Sequence, residues 1–216
     1  MEEYVIKNSQ KSTLIKSVND QRCSIRFLVN EKCYLKIYLI VSGTSDCRIE
    51  TEIKGSYSAV DIRLIALTKL TDKLSIHTIQ NHIASSSKSS LLVRSLNNDN
   101  SMFSFDGIIK VGNLAVLTDG YERSDSLLLS DKAHVLSNPV LEISTNDVRC
   151  THGVTISSIK KEEVEYLNSR GIGLQEARNI LAEGFVKSIF EDAEDKYKIA
   201  LDKSLGNYFG GKHDIS

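Results

Sequence analysis

The chain of 216 residues holds one proline, no tryptophan and 12 glycines, which excludes collagen-like, proline-rich and low-complexity readings. It has no charge excess: 27 Lys+Arg stand against 28 Asp+Glu, a formal net charge of -1. Without a whole-chain field for nucleic acid or anionic lipid, neither is expected as a partner. Long hydrophobic runs are missing too. Tyr34 to Val41 is about the longest and is broken by Lys36, whereas a membrane-spanning helix needs roughly 20 apolar residues, so no membrane is expected. The cysteines, at 23, 33, 47 and 150, fall in no C-x-x-C spacing. A disulfide framework is therefore not expected, and Cys23, Cys33 and Cys47 read as core. The acidic opening Met1-Glu2-Glu3-Tyr4 is not followed by an apolar signal core, so a cytoplasmic location is expected.

What is present is ordinary globular composition, 41% hydrophobic and 25% charged, arranged in two unlike parts. Up to residue 158, short segments rich in Ile, Val, Leu, Thr and Tyr follow one another: Ser24 to Val29, Tyr34 to Val41, Cys47 to Ile53, Val60 to Ala66, Leu74 to His82, Leu91 to Val93, Phe103 to Val111, Leu114 to Leu117, Ser126 to Leu129, Val140 to Ile143 and Val148 to Ile156. Many alternate apolar with polar, as in Cys47-Arg48-Ile49-Glu50-Thr51-Glu52-Ile53, the period of a half-buried strand. A sandwich, a barrel or a β-solenoid fits this pattern. Hairpin-type Asn-Gly or Asp-Gly turns are scarce, which disfavours an up-and-down meander. The exceptions, Asp106-Gly107 and Asp119-Gly120, suit a solenoid corner equally well. Pattern alone leaves sandwich and solenoid even.

Beyond residue 158 the period changes. Lys160 to Arg170 predicts a short helix stopped by Gly171, and Gly171-Ile172-Gly173 reads as a helix–helix turn. Leu174 to Phe190 predicts a second helix with one apolar stripe through Ala177, Leu181, Phe185 and Ile189. A third is expected through Tyr197, Leu201 and Leu205, followed by a frayed tail from Gly206. The division is thus 1–158 strand core, 159–205 helical region and 206–216 flexible tail.

Candidate chemistry is sparse. Gly206 to Lys212 spells G-x-x-x-x-G-K, but His213 replaces the Ser or Thr a phosphate loop requires, and neither a strand before it nor a helix after it is expected. No G-x-S-x-G elbow occurs, and paired carboxylates such as Glu50 and Glu52 suit a solvated strand face. No catalytic residue is assigned, so an enzyme is not expected. A polysaccharide-active β-helix would need convergent carboxylates on successive coils and would be expected to carry a secretion signal, which is not found, and fold alone does not give function. Cys150-Thr151-His152-Gly153 stands apart. Residues i and i+2 of a strand share a face, so Cys150 and His152 project together as a thiolate–imidazole pair suited to iron or zinc. Two ligands do not close a tetrahedral site; others must come from elsewhere. The plain alternative is a buried cysteine beside a hydrogen-bonded histidine.

The run Ser126-Leu-Leu-Leu-Ser-Asp-Lys-Ala133, then Pro139-Val-Leu-Glu-Ile143, Asp147-Val-Arg-Cys-Thr-His-Gly-Val-Thr155, Glu163-Val-Glu-Tyr-Leu-Asn-Ser-Arg-Gly-Ile172, Glu176-Ala-Arg178 and Glu183-Gly-Phe-Val186 resembles the SufB/SufD family, scaffold components of the SUF iron–sulfur cluster assembly machinery. The resemblance covers about residues 120 to 190. It implies a mainly β protein, a β-helix (β-solenoid) core followed by a small C-terminal helical region. It also implies docking of a SufC-type ABC ATPase on the helices, for which Tyr166, Arg170, Ile172 and Phe185 are the candidate positions. Family members pair through the β-helix, so a SufB-like subunit or a second copy of this chain is the expected partner.

Cys150-x-His152-Gly153 matches the C-S-H-G block of the SufD branch, whose histidine is implicated in cluster assembly. The SufB branch carries a His-Glu pair there and an assembly cysteine where this chain has Ser124. Both departures point to a SufD-like scaffold with no tightly bound cofactor, presenting Cys150 and His152 to transient iron or a cluster at the subunit interface. The alternative is a self-sufficient homodimer that itself holds iron or a cluster. Typical family members carry a helical N-terminal domain before the β-helix; strand-like sequence begins almost at once here, so a minimal variant or a lone β-helix-plus-helices form is expected.

Overall fold

The computed structural model describes residues 1–210. Twelve strands precede three helices: β1 (Glu2–Ile6), β2 (Lys11–Asn19), β3 (Arg22–Val29), β4 (Tyr34–Ser42), β5 (Ser45–Ile53), β6 (Ala59–Thr68), β7 (Lys73–His82), β8 (Lys88–Asn97), β9 (Met102–Val111), β10 (Thr118–Leu128), β11 (His134–Ile143) and β12 (Val148–Ser158). Then come α1 (Lys161–Ser169), α2 (Leu174–Lys187), a 3-10 turn over Ser188–Phe190, and α3 (Asp195–Phe209). The odd strands form one six-stranded parallel sheet and the even strands another. Successive strands alternate between the two sheets, so the chain winds as a β-solenoid with two strands per coil. The tie between sandwich and solenoid is thereby resolved.

Parallel in-register stacking means that each inward side chain sits on its equivalent from the previous coil. Ile25, Phe27 and Val29 lie beside Ile49, Thr51 and Ile53, and with Leu35, Ile37, Leu64, Phe103 and Phe105 they form the buried core between the sheets. The coil is not constant in length. Glu2 lies beside Ile25, and His134 beside Met102, so the spacing grows along the chain and no fixed sequence repeat survives.

The corners explain the missing glycine turns. Ser9, Asp20, Lys32, Tyr57, Leu70, Ser86, Asp99 and Leu117 all take positive φ between strands, where glycine is the usual occupant. Side chains from neighbouring corners support them: the Thr44 amide donates to Asp20 Oδ1 at 2.8 Å and the Leu70 amide to Asp99 Oδ2 at 2.8 Å. Leu114 to Leu117, expected as a strand, belongs to such a corner, with Leu114 and Leu117 exposed and only Ala115 tucked into the core. Conversely, Asp106-Gly107 and Asp119-Gly120 are not corners; they lie inside β9 and β10. Their glycines make room. A Cβ on Gly107 would sit 2.1 Å from Glu122 Oε1, and one on Gly120 would sit 3.2 Å from Cys150 Sγ.

The cysteine reading needs one correction. Cys23 and Cys47 are register neighbours on β3 and β5, 4.6 Å apart at Cα, and are joined as a disulfide. Cys33 is free and buried, as a core residue.

The helices cover the outer face of the even-numbered sheet. Tyr38, Ile40, Ile65, Leu67, Leu96 and Leu127 project from it and pack against Ala182, Val186, Phe190, Tyr197, Leu201 and Leu205. Polar contacts fix the docking: Arg178 donates to the Leu129 carbonyl at 2.7 Å, the Tyr208 hydroxyl to the Thr68 carbonyl at 3.0 Å, and Lys69 to the last carbonyls of α3. The α3 helix continues through Phe209, so residues 206–209 are helix rather than tail. Gly206 lies within that helix, and the rest of the G-x-x-x-x-G-K run, Gly211 and Lys212, falls outside the described residues. Gly171, at φ +87°, lies in the turn between α1 and α2. Among the described residues no helix is long and apolar enough to cross a membrane.

Candidate functional site at the open end of the solenoid

β11 and β12 are the last strands of their sheets, each paired on one side only. The row of β12 that faces the interior, Val148, Cys150, His152, Val154 and Ile156, therefore has no further coil above it. Cys150 is half-buried, packed with Ile109, Val111, Leu141 and Val148. His152, two residues on and on the same face, is exposed. Ile143, Val154 and Ile156 remain 41%, 41% and 47% exposed around them, an apolar margin at a strand edge whose backbone groups lack a sheet partner. Sulfur and ring thus share one face of an uncapped rim, as the spacing of the two residues predicts.

Beneath the rim lies a residue that the sequence reading passed over. Register places Gly120 beside Cys150 and Glu122 beside His152. Gly120 leaves the space that the Cys150 sulfur occupies. Glu122 is only 1% exposed, and its Oε2 accepts a 3.2 Å hydrogen bond from Gln80. Burial pushes its carboxyl up to about 7, with the Gln80 contact opposing weakly. Burial likewise raises the Cys150 thiol, with the Gly120 backbone contact acting the other way, so Cys150 is a protonated thiol near neutrality until a metal or a base removes its proton. The signal for Glu122 was available in the alternation Gly120, Glu122, Ser124, Ser126 along β10, which puts the glutamate on the inward row.

Among the described residues no group of three or more His, Cys, Asp or Glu side chains is placed to hold a metal ion. Cys150 and His152 offer one thiol and one imidazole; a closed site would take further donors from a second surface brought against the rim.

The other candidate positions separate. Tyr166 and Arg170 meet on the exposed side of α1, with the guanidinium 5.4 Å from the ring centre, and Ile172 follows in the turn, half-buried. Phe185 is not with them. It packs inward against the helix–sheet core, under the Arg94 guanidinium at 4.8 Å. Exposed Leu174 and Ile180 on α2 lie outside the predicted set.

Comparison with known proteins gives this geometry its context. The family model for the SUF system FeS cluster assembly SufBD core domain matches residues 21–185. Iron–sulfur cluster assembly protein SufD of Escherichia coli (strain K12) is 31% identical over 146 residues, covering 68% of this chain and 34% of that protein. The SufBD family protein ycf24 of Galdieria sulphuraria is 27% identical over 154 residues, 71% of this chain and 70% of that protein. SufBD family protein slr0076 of Synechocystis is 38% identical over 87 residues. The chain spans about a third of the length of the E. coli relative. A solenoid and helical hairpin matched across residues 21–185 establish that this chain belongs to the SufBD family of the SUF iron–sulfur cluster assembly system.

Proposed function

We propose that the chain is a SufD-like scaffold and adaptor whose open rim pairs with a SufB-like subunit, presenting Cys150 and His152 to iron or a nascent cluster as cargo at the junction. The observation that carries this reading is the uncapped face of β12, where thiol and imidazole are ringed by exposed Ile143, Val154 and Ile156. Two ligands from one side fit a site completed from the other, and the serine at position 124 leaves the rest of the donor set to the partner. The SufD relative is consistent with that branch.

A SufC-type ABC ATPase would dock on the exposed side of the α1–α2 hairpin. Tyr166 and Arg170 support this assignment, together with Leu174, which is 62% exposed, and Ile180, which is 45% exposed. Phe185 contributes by holding the hairpin on the sheet. ATP hydrolysis belongs to that partner, and it moves this subunit only if the nucleotide-bound form binds one arrangement of the complex better than the other. The chain itself takes no part in that hydrolysis.

The test uses the full chain with a SufB-like subunit and the ATPase. Val154→Arg, a charge placed on the exposed rim, should abolish co-elution with the SufB-like subunit while leaving the ATPase bound. Tyr166→Ala with Arg170→Ala should do the reverse. Anaerobic reconstitution of the intact complex with iron and sulfide should give a visible chromophore that is lost in Cys150→Ala and His152→Ala without loss of assembly. Pairing that survives Val154→Arg sinks the rim assignment. A stable, Cys150-dependent chromophore on the isolated chain would favour the self-sufficient homodimer instead.

A further inference from the structure

The opposite end of the solenoid carries a second sulfur site, and it stands apart from the rim reading. Cys23 on β3 and Cys47 on β5 face the interior in register, and their 4.6 Å Cα separation lies within the range that a disulfide spans. The two sulfurs differ in access. Cys47 is 0% exposed, buried between its coil neighbours, with Ile76 stacked beside it on β7. Cys23 is half-buried. A depression of about 550 Å³ opens on it, lined by Met1, Arg22, Ser24, Asp46, Arg48 and His77. Of its basic side chains, Arg22 lies 3.9 Å from Asp46, and His77 lies 3.2 Å from Asp106 and 3.9 Å from Asp46. Arg48 has no ion-pair partner among the described residues, and it is the side-chain charge left over for a ligand.

We infer that Cys23 and Cys47 form a reversible dithiol–disulfide couple that exchanges with small acidic thiols of the glutathione class through Cys23, with Arg48 attracting their carboxylates. In the reducing direction a thiolate attacks Cys23 Sγ, the Cys23–Cys47 bond breaks, and Cys47 leaves as a thiolate that takes up a proton. A second small thiolate attacks the mixed disulfide at its outer sulfur, releasing the external disulfide and Cys23 as a thiolate that is protonated in turn. The balance is one protein disulfide and two small thiols giving one protein dithiol and one small disulfide, two electrons in all. Attack falls on Cys23 because it is the less buried of the two and lines the depression, and exchange rates follow access and the charge around the attacked sulfur.

The experiment equilibrates the full chain in buffers of graded reduced-to-oxidised glutathione ratio, quenches with acid, alkylates, and maps cysteines by mass spectrometry. A single two-electron transition linking Cys23 to Cys47 is expected, with Cys33 unlinked throughout. Reduction should lower the melting temperature by roughly 5–10 °C, since the bridge closes a loop of 24 residues. Oxidised glutathione should add to Cys23 in Cys47→Ser, and Cys47 in Cys23→Ser should stay unmodified. Arg48→Glu should slow exchange with glutathione about tenfold but not exchange with cysteamine, which carries a positive charge. Alkylation of both Cys23 and Cys47 at every ratio would overturn the couple. So would glutathione adding to Cys47 as readily as to Cys23, and equal rates for the two thiols in Arg48→Glu would overturn the role of the arginine.

Discussion

His82 and Glu122 are both ionisable and buried on the inward rows of this solenoid, and they are treated in opposite ways. His82, at the end of β7, is fully buried, and both ring nitrogens are satisfied: Nδ1 by Ser87 at 2.7 Å and Nε2 by Ser89 at 2.8 Å. The network closes further through Ser87 onto the Ala84 carbonyl at 3.0 Å. Glu122, one coil from the rim, has a single hydrogen bond, from Gln80. Its Oε1 and the side-chain oxygens of Thr78, Gln80 (Oε1), Ser124 and Ser137 are buried without partners among the described residues. The polar groups around His82 thus form a closed network, while those around Glu122 are left open. Unsatisfied buried groups cost stability, so the two clusters should respond differently to substitution.

The largest effect should come from breaking the closed network. His82→Leu leaves the Ser89 hydroxyl without its partner, and the expected loss is about 4 kcal/mol at pH 8, read by urea unfolding. Burial lowers the His82 pKa to about 4 from an ordinary 6.5. A base so depressed withholds its proton in the fold while the unfolded chain takes one up. Its stabilising share is therefore complete above pH 6.5 and falls as pH drops toward about 4. The gap between the wild-type chain and His82→Leu should narrow across that window; a gap of constant size would mean that the ring is not buried as a neutral group.

Glu122→Gln should act in the other direction and somewhat less. The Glu122 carboxyl is raised from 4.5 to about 7, so the fold holds the proton that the unfolded chain releases. Stability from this position is then lost as pH rises from 4.5 to about 7. The neutral amide avoids that loss, and a gain of about 2 kcal/mol at pH 8, vanishing near pH 4.5, is expected from paired denaturation curves. A destabilised variant at pH 8 would show instead that the ionised carboxylate is held by contacts beyond Gln80.

The same contrast shows what sequence could and could not reveal. Strand periodicity from Ser24 onward marks most of the coils because half-buried strands alternate, and the rim pair Cys150/His152 follows from that period alone. The winding was hidden. Its corners use Tyr57, Leu70 and Leu117 in left-handed conformation instead of glycine, while the two Asp-Gly pairs lie inside strands. The couple Cys23–Cys47 was hidden because register, not sequence spacing, brings the two sulfurs together. The alternation along β10 could have marked Glu122 as inward, but its meeting with Gly107 and Gln80 across the interior follows only from the winding.

The smallest effect is the finest probe of the contrast, because it changes one atom at each place. Ser89 and Ser124 are both buried serines on inward rows of neighbouring strands, 4% and 1% exposed. Removing the Ser89 hydroxyl strips His82 Nε2 of its partner, so Ser89→Ala should cost about 1 kcal/mol. Removing the Ser124 hydroxyl deletes a group that has no partner among the described residues, so Ser124→Ala should lie within about 0.5 kcal/mol of wild type or be slightly more stable. Both variants keep the β-carbon, so packing is nearly constant and the difference between them reports hydrogen bonding alone. Equal losses at the two positions would mean that Ser124 is bonded after all, through ordered water or through Glu122, and the interior beneath the rim would then be as closed as the interior around His82.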